Sequence, residues 1–233
     1  MPALVLLAFL IAPASIARAA PAHGDAVAPL TRAERVATAR HRAELGALEA
    51  LVETERGRPS GTRVREVIDG KGHRLILFVA RVGGAVERAH SFEPGFAFAT
   101  LYALVVDAER RPRLLLVQPQ GKEEAYEIDQ ILFGRDGKTA ARDHTYGTST
   151  DCADGRFHER RVLTIFGPAL RLLERRVELL NDPPGSQLTE GCALEAAKPP
   201  LPDARSFLHA HGLEGVTRAA GVRVGSGRGA QAG

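Results

Sequence analysis

"HRLILFVARV", residues 73–82, decides the fold, because it can be neither a surface strand nor a loop. It follows "TRVREVI" (62–68) across "DGKG" (69–72), and Asp-Gly between two apolar-rich runs is a strong hairpin signal. Glycine relieves the positive-φ positions that such turns require. The run is continuously apolar rather than alternating, so both of its faces need cover.

The same punctuation recurs downstream. "AFATLYALVVD" (97–107) and "RLLLVQ" (113–118) flank "AERRP", and "EAYEIDQILF" (124–133) and "TAARDHTY" (139–146) flank "GRDGK". "FHERRVLTIF" (157–166) and "LRLLERRVELL" (170–180) flank "GPA". Four hairpins in succession, with no second long helix to cross between parallel strands, predict an antiparallel meander of about eight strands. The apolar strands further predict a sheet curled into a barrel or half-barrel, or covered by a helix. For the last hairpin, a two-residue turn at Gly167-Pro168 sets Glu159 opposite Arg176 and Arg161 opposite Glu174, two pairs of opposite charge.

One long helix precedes the strands. Thr31 and Glu34 have capping-box spacing, and Ala33, Val36, Ala37, Leu45, Leu48, Leu51 and Val52 recur at three- and four-residue intervals. "RGRPSG" (56–61) ends the helix, which spans about 36 Å. His41 lies on its apolar stripe and reads as a half-buried core residue. The fold class is therefore mainly β (α+β), a meander with a long N-terminal helix packed on it.

The ends of the chain read differently. Residues 1–19 form a signal peptide: an apolar run from Ala3 to Ala12, a break at Pro13, and Ala17-Arg18-Ala19 ahead of the cut. Ala20-Pro21-Ala22 offers a second site. The apolar run is too short to span a bilayer, which takes about twenty residues. The mature chain is thus expected to be periplasmic or secreted, with no transmembrane segment and no cysteine at the cut to carry a lipid. Residues 20–30 are a flexible lead-in, 31–197 one folded unit, and 198–233 a linker, a short helix capped by Asp203, and a disordered tail.

Composition narrows the function. The net charge is only +3, and 28 acidic residues are interspersed with 31 basic ones. A nucleic-acid binder concentrates its positive charge and adds aromatic rings for stacking, whereas tryptophan is absent here. Nucleic acid is therefore not an expected partner. The partner expected instead is a ligand or cell-envelope protein, bound through the curved sheet without enzymatic chemistry.

The cysteines fit an oxidising compartment. Cys152 lies five residues before the last hairpin and Cys192 twelve after it. The open ends of a hairpin are neighbours, so a Cys152–Cys192 disulfide is expected. Closing a loop of about forty residues contributes roughly 4 kcal/mol in the chain-entropy account.

The stretch "DHTYGTSTDCADGRFH" (143–158) also carries Asp143, His144, Asp151, Asp154 and His158. Its spacing matches no metal-ligand pattern, and aspartate, glycine, serine and threonine are ordinary turn residues. No catalytic, cofactor-binding or metal residue is therefore assigned, and no cofactor is expected. The alternative is a metal-assisted hydrolase using Asp143, His144 and His158, which requires those side chains to converge. His209 and His211 lie in the poorly patterned tail and read as surface residues.

Overall fold

The computed structural model describes residues 29–56, 62–69, 72–82, 99–119, 125–148, 158–180 and 200–224. Residues 1–19, read as a signal peptide, lie outside the described residues, as do Cys152, Cys192 and the side chain of His158.

Eight antiparallel strands follow one another in a single sheet: β1 (Thr62–Asp69), β2 (Gly72–Val82), β3 (Ala99–Val106), β4 (Pro112–Pro119), β5 (Ala125–Phe133), β6 (Thr139–Thr148), β7 (His158–Phe166) and β8 (Leu172–Leu179). The spatial order is β1 to β8 without a crossover. This is the meander expected from the hairpin signals. The sheet is open, with β1 and β8 at its two ends instead of paired to each other, so the curling into a barrel is met only loosely.

The helix α1 (Arg32–Glu55) begins as its sequence dictates. The Thr31 hydroxyl accepts from the Glu34 backbone at 3.2 Å, and the Thr31 backbone donates to the Glu34 carboxylate at 2.8 Å. Leu45, Leu48 and Val52 are the buried apolar residues of α1, and they join Phe78, Leu116, Leu132 and Ile165 in one core cluster on the first sheet face. The upstream end of the predicted stripe does not pack: Val36 is 65% exposed.

Closure is unnecessary because the second face has its own cover. Two short helices, α2 (Ala204–Ala210) and α3 (Glu214–Ala219), pack on it. Ala204, Phe207, Leu208 and Leu213 form a second cluster with Leu75, Leu77, Leu104, Val117, Ile131 and Phe133. The Phe133 and Phe207 rings meet edge-on at 5.8 Å. The sheet is therefore a central layer between helices, which is why residues 74–80 are buried throughout.

Asp203 caps α2 by accepting from the Ser206 backbone at 2.8 Å, as expected. More of the C-terminal region is built into the fold than a linker and a short helix. The Thr139 backbone donates to Pro202 O at 3.0 Å, the Thr139 hydroxyl to Leu201 O at 2.7 Å, and the Arg223 backbone to Arg110 O at 2.7 Å. These bonds fasten α2 and α3 to the β5–β6 and β3–β4 turns, on one end of the sheet. The apolar positions of residues 201–224 are too few and too closely spaced to show helical periodicity.

The last hairpin corrects the predicted register. Arg161 pairs with Glu178, Leu163 with Arg176 and Ile165 with Glu174, four residues away from the expected partners. The connection is a 3₁₀ turn at Pro168–Leu170, with Ala169 and Leu170 at φ 53° and 57°. Proline at the start of that turn supplies the fixed φ a helical first position accepts. A shift by an even number leaves each side chain on its face, so Leu163 and Ile165 remain in the core.

Candidate functional site

Strand alternation sends Asp143 and His144, neighbours in "RDHTY" (142–146), to opposite faces of β6. Asp143 lies under α1 and is 2% exposed. Its carboxylate receives Arg161 Nε at 2.8 Å and Nη2 at 2.5 Å. Arg161 also lies 3.6 Å from Glu49 of α1, whose other oxygen accepts from Gln130 Nε2 at 2.9 Å. The group is a structural clamp: it bridges β5, β6 and β7 to α1. Burial raises the Asp143 pKa above the ordinary carboxylate value, and the hydrogen bonds and charge of Arg161 only partly offset it.

Further ion pairs fasten the rest of α1. Glu34 pairs with Arg171, Arg42 with Glu174, Glu44 with Arg113 and Glu55 with Arg65. His41 is half-buried, as its place on the stripe implies. Burial, followed by the neighbouring Arg40 charge, lowers its pKa.

His144 belongs to the second face. Its Nδ1 is 3.6 Å from Glu127 and 3.7 Å from Asp129. Arg142 grips Asp129 bidentately, Nε to Oδ1 at 2.7 Å and Nη2 to Oδ2 at 2.8 Å. Burial works to raise the Asp129 pKa, but the hydrogen bonds and charge of Arg142, with the nearby His144, prevail and hold it below the ordinary value. Asp143 and His144 thus do not converge, and the backbone of His158 pairs with Thr148, four residues along β6 from His144. Among the described residues no group of three or more His, Cys, Asp or Glu side chains could hold a metal ion.

His209 Nδ1 lies 3.2 Å from Glu214 at an exposed position. His211 meets the Tyr102 ring edge-on at 5.5 Å, so it is part of the α2 packing.

What the structure assembles is a polar field on the second face, beside the part that α2 and α3 cover. Cross-strand pairing sets Glu127, Tyr146 and Arg160 in one row, Asp129, His144, Val162 and Val177 in the next, and Arg142, Thr164 and Arg175 in a third. Val162 is 7% exposed yet belongs to neither apolar cluster. Of these positions only His144 was singled out from sequence. The signal that could have found the others is the alternate-residue pattern Arg142, His144, Tyr146 on one strand and Arg160, Val162, Thr164 on the next. It becomes visible only once the strand pairing is known.

No family model, no curated protein and no solved structure matches this chain.

Proposed function

We propose that this is an exported, non-enzymatic protein that binds a ligand or cell-envelope partner through the β5–β8 half of the second sheet face. The observation that carries the reading is unequal cover. Two short helices seal the β2–β5 part with apolar side chains, whereas the adjoining rows carry Arg142, His144, Tyr146, Arg160 and Arg175. A solvated sheet face needs no such concentration of arginine beside buried valine, and a recognition surface commonly has it. Export rests on the leader at residues 1–19 and on the paired cysteine count. The Cys152–Cys192 disulfide is part of the same proposal. Among the described residues no helix is long and apolar enough to cross a membrane.

Native mass spectrometry of the mature protein taken from its own compartment tests the reading. The expected result is a chain beginning at Ala20, or at His23 for the second cut. It is two hydrogens lighter than its reduced form and carries a bound molecule that is lost when Arg160 and Arg175 are both replaced by glutamine. An uncleaved leader would refute export. A ligand that remains bound to the double variant would refute the assigned face.

A further inference from the structure

The geometry points to an oxyanion-binding position at Arg160, which takes the carboxylate or phosphate end of a small amphipathic ligand whose apolar part lies along Val162 and Val177. The inference rests on the binding reading above and specifies the chemistry of its ligand.

Arg160 projects from β7 on the second face, with Tyr146 as its cross-strand partner and Val162 next on the same face. Its Nε is buried and has no hydrogen-bond partner. A buried guanidinium donor left unmade carries a desolvation cost that an incidental surface arginine does not incur. Arg63 also has buried nitrogens without a partner, but its guanidinium stacks over the Phe78 ring at 5.4 Å, which accounts for its placement. For Arg160 the neighbouring charge is of the wrong sign. Burial, and then the Arg175 guanidinium, lower its pKa. Of the two acidic groups in the same field, Asp129 is gripped by Arg142, and Glu127 lies two strands from Arg160, 3.6 Å from His144 Nδ1.

A guanidinium with an idle buried donor, in a field to which Arg175 adds a second positive charge two rows along the sheet, suits a planar or tetrahedral oxyanion that accepts from the fork. The ground between them is apolar. Val162 is 7% exposed and pairs with Val177, in the row between that of Arg160 and that of Thr164 and Arg175. An anionic head with a short hydrocarbon body satisfies both features.

The test titrates the full mature chain with octanoate, octyl phosphate and neutral 1-octanol at fixed ionic strength, followed by the arginine Nε–H resonances. Saturable shifts at Arg160 with octanoate or octyl phosphate, and none with 1-octanol, are expected. The tighter of the two anions identifies the head group. Arg160→Gln should weaken that binding about tenfold or more, the equivalent of one charge-assisted bond. Arg176→Gln, on the opposite face of β8, should leave it unchanged. Should the glutamine variant fail to fold, Arg160→Lys keeps the charge without the fork and should still weaken binding.

Equal binding of 1-octanol, no shift at Arg160 with either anion, or full affinity in Arg160→Lys would overturn the inference. If the protein from its own compartment carries a ligand while both anions bypass Arg160, the oxyanion position falls and the binding reading stands. If the ligand is carried on another face, both fall.

Discussion

Asp143 and His144 are joined by one peptide bond and are separated by the whole thickness of the sheet. Asp143 is locked to Arg161 beneath α1, and His144 stands beside Glu127 and Asp129 on the opposite face. One stretch of β6 therefore serves the attachment of α1 on one side and the polar field on the other. The two acidic centres also titrate in opposite senses.

Asp143 holds its proton more tightly in the folded chain than in the unfolded one. The native state therefore binds more protons between the ordinary carboxylate pKa and the raised one, so stability falls as pH rises through that interval. Asp143→Asn should flatten this part of the curve. Urea unfolding midpoints measured at half-unit steps upward from pH 4 would show the flattening; an unchanged slope would mean that Asp143 is not the group responsible.

Asp129 behaves in reverse. Its folded pKa lies below the ordinary value, so its contribution is present above that value and is lost as pH falls through the folded pKa. Asp129→Asn should reduce acid destabilisation and, at neutral pH, cost about 3 kcal/mol by leaving the partly buried Arg142 without its partner. Acid titration of both chains by circular dichroism distinguishes this from a uniform loss.

The C-terminal helices should be integral to the fold rather than an appendage. Phe207 is 5% exposed and packs against Phe133, so Phe207→Ala should cost about 3–5 kcal/mol, as much as Leu48→Ala on the opposite face costs at about 2–5 kcal/mol. Both variants should unfold in one transition. An early, separate melting step in Phe207→Ala alone would show that the second face folds independently.

The β7–β8 turn stores strain that can be relieved. Ala169 is exposed and lies in the left-handed region, which costs an L-residue about 1 kcal/mol. Ala169→Gly should stabilise the chain by about 0.5 kcal/mol after the entropy of glycine is counted. Thermal melting would detect it, and a lower melting temperature would place the methyl group in a contact that outweighs the strain.

The strands and α1 were legible because their signals are local. "DGKG" and "GRDGK" set turns, Thr31 and Glu34 set a cap, and neither needs a distant partner. The register of the last hairpin was not legible from charge pairing. "ERR" occurs on both strands, so Arg161 finds an acidic partner at Glu174 in one register and at Glu178 in the other. Turn geometry decided between them.

By itself, then, the sequence determined an antiparallel meander with a capped N-terminal helix, and it demanded cover on both faces of residues 74–80. Tertiary structure decided what supplies that cover and how far it extends. Backbone hydrogen bonds to the β3–β4 and β5–β6 turns seat α2 and α3 over one half of the second face. Tertiary structure also parted Asp143 from His144 and set Arg160, Val162 and Arg175 on one face. Such groupings arise from pairing across strands, where residues far apart in the chain meet and neighbours in the chain diverge.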